Sequence, residues 1–119
     1  MSIILFVDDD PDSLYTYQKA MSLIGHTALL AANGEQALLT AEKTHLDLIV
    51  LDFHLPDMNG MTLIKKIKEN KSLNVIPIIM LSASSTNLVA DDVISAGAEI
   101  FMNKPLSLED FLSVVNGFL

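Results

Sequence analysis

The sequence predicts an α/β fold, a doubly wound five-stranded parallel sheet with helices on both faces, built as (βα)5. Short continuous apolar runs, of which Ile3–Val7 is the clearest, are typical of strands buried on both faces. Stretches with apolar residues at helical spacing separate these runs, so strand and helix alternate along the chain. Right-handed crossovers wind such an alternating chain into an open parallel sheet covered by helices.

Five strands are predicted, one before each helix. The first, third and fourth strands are predicted at continuous apolar runs, which are Ile3–Val7, Leu48–Leu51 and Val75–Leu81. Two weaker strands fit Thr27–Ala31 and Glu99–Met102. Because every strand is followed by a helical segment, neighbouring strands are expected to run parallel.

Five helices are predicted from apolar spacing, with Gly97 ending the fourth and Ser107 capping the fifth. The apolar C-terminus, Phe118 and Leu119, fits either the helix core or an exposed junction, and the core is preferred. The whole order gives a flavodoxin-like architecture, in which ligands bind beyond the carboxyl ends of the strands. The apolar positions are, helix by helix, Leu14, Tyr17, Met21 and Ile24; Ala37, Leu38 and Ala41; Leu63, Ile64 and Ile67; Val89, Val93 and Ala96; and Leu108, Phe111, Leu112, Val115 and Phe118.

The length and composition of the chain indicate how many domains it forms and which ligands and locations it favours. A chain of 119 residues with 50% hydrophobic residues is expected to form one domain over residues 1–119. Fifteen acidic against seven basic residues give a net charge of −8, which disfavours direct binding to nucleic acid. The absence of cysteine excludes disulfides and thiolate chemistry and fits a reducing, cytoplasmic location. No stretch is long enough to span a bilayer, so no membrane association is expected.

Aspartates cluster where the first and third predicted strands end. Asp8 and Asp9 directly follow the first apolar run, and Asp52 follows the third. Parallel strands end at the same edge of a sheet, so these carboxylates are expected to converge and to need a hard cation that relieves their repulsion. Taken alone, Asp52 fits a helix cap or loop residue better than a site residue, so the inference depends on the convergence of the three carboxylates. Asp10 and Asp12 fit helix capping better than metal binding.

Ser82 and Lys104 follow the fourth and fifth strands at the same predicted edge. The Ser82 hydroxyl is suited either to donate to a bound oxygen or to cap the next helix. All seven basic residues are lysines, and Lys104 alone follows a strand, whereas the other six fall in predicted helices or their flanks. An ammonium there would offset the carboxylate repulsion and bind a phosphoryl oxygen. A cis bond before Pro105 would aim Lys104 at the site.

Three carboxylates, a hydroxyl and an amine at one sheet edge suit metal-assisted phosphoryl transfer to a carboxylate nucleophile. Mg²⁺, or alternatively Mn²⁺, suits such a site because it prefers oxygen ligands, and Mg²⁺ in particular keeps waters and binds phosphate oxygens. A zinc site is not expected, because His26, His45 and His54 have no ligand spacing. All three histidines are expected to be exposed to solvent.

Four spaced motifs follow one another along the chain. They are Phe6-Val-Asp-Asp9; Leu48-Ile-Val-Leu-Asp52 leading to Leu55-Pro-Asp-Met-Asn-Gly60; Met80-Leu-Ser82-Ala83; and Gly97-Ala98 with Lys104-Pro105. With these motifs in this order, the sequence resembles over its whole length the receiver domains of two-component response regulators, particularly the single-domain kind typified by the chemotaxis regulator.

The resemblance implies that Asp52 is the phosphoacceptor in a phosphorelay. It also implies that Asp9 binds the metal directly, that Asp8 acts partly through water, and that Asp52 and the backbone carbonyl of His54 complete the protein ligands. His54 would further be one of the variable neighbours that tune how fast the aspartyl phosphate hydrolyses, together with Ser84.

The resemblance also implies roles for residues at the fourth and fifth strands. Ser82 and Lys104 would bind the phosphoryl oxygens, and the peptide bond between Lys104 and Pro105 would be cis. Phe101 would be the aromatic switch that turns inward when the hydroxyl residue moves. Two departures are mild: Ser82 replaces the commoner threonine, and Phe101 lacks the hydroxyl of the frequent tyrosine, so switching need not depend on a phenol hydrogen bond.

The implied partners are a sensor histidine kinase or a histidine phosphotransfer protein upstream and an unidentified target or output domain downstream. A homodimer through the face of the fourth helix, fifth strand and fifth helix is a further expectation. The chain would be a signalling domain, not an enzyme, with only self-phosphorylation and autodephosphorylation chemistry, and 119 residues leave no room for an output domain. Two alternatives stay open: a phosphorylation-independent pseudo-receiver and a metal-dependent phosphatase of the haloacid dehalogenase type, which would need an acid where His54 stands.

Overall fold

The chain forms a five-stranded parallel sheet in the order β2-β1-β3-β4-β5, which confirms the predicted flavodoxin-like fold. The computed structural model describes residues 2–83, 90–104 and 107–119. The elements are β1 Ile3–Val7, α1 Pro11–Leu23, β2 Thr27–Ala31, α2 Gly34–Lys43, β3 Leu48–Asp52, α3 Gly60–Glu69, β4 Ile78–Ala83, α4 Ala90–Ala96, β5 Ile100–Lys104 and α5 Leu108–Asn116.

Each face of the sheet carries its own apolar layer. Side chains alternate along a strand, so Leu5 and Val7 of β1 face one layer while Ile4 and Phe6 face the other. Helices α2, α3 and α4 cover the first layer, and α1 and α5 cover the second. The inner strands β1 and β3 are therefore buried on both faces, which is why their sequences are continuous apolar runs.

The predicted helix ends are confirmed where the structure describes them. Asp10 is the N-cap of α1, its side chain accepts from the backbone N–H of Asp12, and Pro11 follows at the first helical position. Ser107 caps α5 in the same way, and Gly97 follows α4 with φ of 126°. A positive φ of this kind favours glycine, because a Cβ atom would be strained there.

The prediction that β4 starts at Val75 is wrong. Residues 70–76 form consecutive turns after α3, and β4 begins only at Ile78. In these turns Ile76 points inward with 6% of its surface exposed, whereas Val75 is 81% exposed. An apolar run alone does not distinguish a turn that buries every third residue from a strand.

Other predicted boundaries shift by one or two residues. β5 runs from Ile100 to Lys104, so Lys104 is the last residue of the strand instead of following it. α5 ends at Asn116, which leaves Phe118 partly buried against the core and Leu119 exposed, so the core prediction for Leu119 is wrong. Val89, predicted in the fourth helix, lies outside the described residues. No described helix is long and apolar enough to cross a membrane.

Neighbouring substitutions at Val75 and Ile76 test the turn assignment. Ile76→Ala should lower the free energy of unfolding by about 2–5 kcal/mol, because it removes buried side-chain volume. Val75→Ala should change it by less than about 0.5 kcal/mol, because that side chain is in solvent. Urea unfolding followed by circular dichroism measures both. Similar losses in the two variants would mean that Val75 is packed as a strand residue.

Candidate functional site

The carboxyl edge of the sheet brings together the ends of β1, β3 and β5. β1 and β3 are parallel neighbours with Val7 beside Leu51, so Asp8 and Asp52 lie next to each other beyond that pair. β5 is two strands away from β3 and ends at Lys104. The long lysine side chain spans the width of β4 and reaches both aspartates.

Three aspartates form one cluster at this edge. One carboxylate oxygen from each of Asp8, Asp9 and Asp52 lies within 4.8 Å of the others. Asp8 is only 2% exposed, Asp52 has a side-chain exposure of 12%, and Asp9 is exposed. Asp8 is oriented by a hydrogen bond, because its Oδ1 accepts from the backbone N–H of Asp10 at 3.0 Å.

Lys104 places its ammonium between the two less exposed carboxylates. Its Nζ lies 2.9 Å from Oδ2 of Asp8 and 3.2 Å from Oδ2 of Asp52. Burial by itself would lower the pKa of Lys104, but the hydrogen bond to Asp8 and the negative charges around it outweigh burial and hold that pKa well above its usual range. Lys104 therefore stays charged wherever the protein is folded near neutral pH.

The surroundings of Asp52 disfavour its charge. Burial raises its pKa, Lys104 opposes that shift, and the nearby charge of Asp8 adds to it. The backbone N–H of His54 also donates to the Asp52 carboxylate and lowers the pKa. The net direction is upward because burial, the largest of these influences, outweighs the stabilisation of the charge by Lys104.

The donor set fits a hard divalent cation. Three carboxylates against one ammonium leave an excess of negative charge, and carboxylate oxygens are the ligands that Mg²⁺ and Mn²⁺ prefer. His54, whose carbonyl is the fourth predicted ligand, follows Asp52 by two residues and pairs with Asn59 across the loop between β3 and α3. The metal-binding role of these groups stays a prediction.

Ser82 and Phe101 lie on the sheet face that α2, α3 and α4 cover. Phe101 is the register partner of Met80, which belongs to that layer, and Ser82 follows Met80 by two positions and so shares its face. Ser82 is fully buried and Phe101 is partly buried. These positions are compatible with the roles predicted for Ser82 and Phe101, which stay predictions. Ser84 and Pro105 lie outside the described residues.

One of the three histidines is less exposed to solvent than expected. His45 and His54 are exposed, but His26 is half-buried, and its Nδ1 accepts a hydrogen bond from the backbone N–H of Ser2 at 3.1 Å. His26 is therefore less exposed to solvent than predicted. It lies just before β2, where the start of the chain runs beside it, and no local sequence pattern announces that contact.

Two features near the site have no signal in the sequence. Tyr17 of α1 lies between Phe6 and Phe111, with ring centroids 4.9 and 5.3 Å away, and burial raises the pKa of its phenol. Asp57 accepts hydrogen bonds from the first two N–H groups of α2, more than twenty residues earlier in the chain. Both contacts join segments that are distant in sequence.

Comparison with known proteins gives consistent relatives. A family model described as the response regulator receiver domain matches residues 4–116. The polar-differentiation response regulator DivK of Brucella ovis is 25% identical over 116 residues, which are 98% of this chain and 94% of that protein. The chemotaxis response regulator CheY4 of Vibrio cholerae is similar with a TM-score of 0.92 and 26% identity, over 100% and 99% of the two chains. The response regulator TrrA of Thermotoga maritima, in complex with Mg²⁺-BeF, gives a TM-score of 0.87 and 28% identity over all of both chains.

The raised pKa of Asp52 predicts how Asp52→Asn changes stability with pH. The folded protein binds a proton to Asp52 at a higher pH than the unfolded chain does, so ionisation of this group costs stability as pH rises through that window. With a chelator present, Asp52→Asn should be more stable than the wild type at pH 7. The difference should shrink once the pH falls below the folded pKa of Asp52.

Thermal unfolding of both proteins across acid to neutral pH measures this difference, with Asp12→Asn as the control for loss of one exposed charge. A wild type that is as stable as Asp52→Asn at pH 7 would contradict the stability cost of the buried Asp52 charge.

Proposed function

This chain belongs to the response regulator receiver domain family, and from that premise we propose that it accepts a phosphoryl group on Asp52 and thereby controls a partner. The observation that carries the proposal is the ammonium of Lys104 bound between Asp8 and Asp52 at the carboxyl edge of the sheet. This edge is where ligands bind in doubly wound folds. Residues 1–119 would form one receiver domain.

Asp8, Asp9 and Asp52, with the backbone carbonyl of His54, would hold Mg²⁺ or Mn²⁺. Bound there, the cation would cancel the excess charge of the aspartates and that of the donor's phosphoryl oxygens. The closeness of the three carboxylates supports this assignment. So does the raised pKa of Asp52, because burial disfavours the charge of this group and a bound cation would offset that cost.

Asp52 would act as the nucleophile. One of its carboxylate oxygens would form a bond to phosphorus while the bond between phosphorus and an imidazole nitrogen of a phosphohistidine breaks, and the electron pair would stay on that nitrogen. The donor would be a sensor histidine kinase or a histidine phosphotransfer protein. Lys104 and Ser82 would bind the phosphoryl oxygens, with Lys104 as a charge already held at the acceptor.

The change would then reach the surface through Ser82 and Phe101. These residues share one sheet face, so a movement of the hydroxyl toward a phosphoryl group opens space on the side of the aromatic ring. The α4-β5-α5 face would be the output surface or a homodimer interface. Ile94 of α4 and Leu108 of α5 are exposed apolar residues on these elements. The downstream target stays unidentified.

Two other functions compete with this one. A pseudo-receiver would bind partners without phosphorylation. The three aspartates are present and close together, and Lys104 contacts two of them, which favours the phosphoacceptor. A metal-dependent phosphatase would need an acid two residues after the nucleophile to protonate the leaving group, and His54 stands there with its side chain exposed. We therefore favour a signalling domain over an enzyme acting on external substrates.

Phosphorylation is tested by intact mass after incubation with acetyl phosphate and Mg²⁺. The wild type should gain the mass of one phosphoryl group, and hydroxylamine should remove it because an aspartyl phosphate is an acyl phosphate. Asp52→Asn and a wild-type sample in chelator should gain nothing. A wild type that remains unmodified under these conditions would favour the pseudo-receiver. Hydrolysis of many small phosphoester molecules per protein molecule would favour the phosphatase.

The switch is tested by backbone amide NMR with Mg²⁺ and a beryllium fluoride mimic of the phosphoryl group. Signals around Ser82 and Phe101 should shift when both are added, because the mimic gives new contacts to only one arrangement of this region. Asp52→Asn, which cannot ligate the mimic as a carboxylate does, should show no such shifts. Unchanged spectra around Ser82 and Phe101 in the wild type would contradict the proposed switch.

A further inference from the structure

Asp57 binds the start of α2 with both oxygens of its carboxylate. Oδ1 accepts from the backbone N–H of Gly34 at 2.8 Å, and Oδ2 accepts from that of Glu35 at 2.9 Å. These are the first two N–H groups of the helix, which have no partner within the helix itself. A carboxylate is favoured at this end by the helix dipole as well, and the two N–H groups hold the pKa of Asp57 below its usual range.

α2 already has a complete cap of its own. The side chain of Asn33 accepts from the backbone N–H of Gln36 at 2.8 Å, and the side chain of Gln36 accepts from the backbone N–H of Ala32 at 2.9 Å. The helix is therefore started by its local sequence. The contact with Asp57 connects it to the loop between β3 and α3, residues 53–59.

A second contact joins the same two segments. Gly34 is buried beneath Met58, so closely that a Cβ atom at position 34 would lie 2.5 Å from the sulfur of Met58. Any larger residue at position 34 would push Met58 away. Two consecutive loop residues, one polar and one apolar, are thus seated on the first turn of α2.

Hydrogen bonds also join the two ends of this loop to each other, so the ends move together. The backbone N–H of Gly60 donates to the carbonyl of Phe53 at 2.6 Å, and His54 pairs with Asn59 in an antiparallel bridge. His54 in turn donates its backbone N–H to the carboxylate of Asp52. A displacement at Asp57 is therefore transmitted through a short, hydrogen-bonded loop to the carboxylate at the centre of the site.

We propose that Asp57 is a positioning residue for the cation and phosphoacceptor site, because it fixes the loop that orients Asp52 by anchoring this loop to the N-terminus of α2. The inference rests on the proposed function, since it concerns the same site. Coupling is reciprocal, so occupation of the site by a cation must also be felt at the first N–H groups of α2. Asp57 itself touches neither the phosphoryl group nor the cation in this proposal.

The test compares three variants by their Mg²⁺ affinity, measured by isothermal titration calorimetry. Asp57→Ala should weaken Mg²⁺ binding by about tenfold or more, the range seen when groups that orient metal ligands are removed. Asn33→Ala is the matched control, because it removes a cap from the same helix without touching the loop, and it should stay within about twofold of the wild type. Asp57→Asn keeps one acceptor oxygen and should lie between Asp57→Ala and the wild type.

Amide NMR of the wild type gives a second readout that does not depend on the folding of a variant. Mg²⁺ should shift the signals of Gly34 and Glu35, and the shifts should be lost in Asp57→Ala. Unshifted wild-type signals, an Asp57→Ala affinity equal to the wild type, or an equal loss in Asn33→Ala would each overturn the positioning role. If Asp57→Asn falls as far as Asp57→Ala, charge alone explains the effect and the proposal also fails.

Failure of the proposed function is distinguishable from failure of the positioning role. A wild type that neither binds Mg²⁺ nor accepts a phosphoryl group from acetyl phosphate would refute the former. A wild type that does both, with Asp57→Ala unimpaired in affinity, would refute only the latter.

Discussion

The balance of charge at the carboxyl edge of the sheet is the constraint on which the site depends. Asp8 and Asp52 are held side by side by neighbouring strands, and they are largely removed from water. Two such carboxylates repel each other, and Lys104 offsets the repulsion by binding both. With Asp9 included, the cluster still has more negative than positive charge. The cation proposed for this site would therefore meet an excess of negative charge that the positions of the strands create.

The sheet holds Asp8 and Asp52 in place, and the helix caps hold the loops around them. β1 and β3 are buried on both faces of the sheet, so the backbone that carries Asp8 and Asp52 has little freedom to move. Around them, α1, α2 and α3 all begin at the same edge with a side chain that accepts from backbone N–H groups. The loops between strand and helix are thus fixed at both ends. Asp57 extends this scheme by capping a helix other than its own.

Sequence reasoning succeeded where local pattern decides structure. The strands Ile3–Val7 and Thr27–Ala31 have the predicted boundaries, because apolar residues and the adjacent helix starts mark them clearly. The prediction that a strand begins at Val75 was wrong, because the sequence of an apolar segment does not show which side of a turn faces the core. The grouping of Asp8, Asp52 and Lys104 was predictable, because parallel topology assigns strand ends to one edge. The hydrogen bonds of Asp57 were not, because only the folded chain brings residues 34, 35 and 57 together.

Lysine has an advantage over arginine at position 104 for a site that must gain a ligand. An ammonium is a compact charge with three donors that rotate freely, whereas a guanidinium presents a rigid planar fork. Among the described residues, two of these donors bind Asp8 and Asp52, which leaves one for an oxygen of an incoming phosphoryl group. Phosphorylation of Asp52 would then add a contact to Lys104 while its ion pair with Asp8 persists. Because Asp8 holds the ammonium in place, the charge that would bind the phosphoryl group is positioned before such a group could arrive.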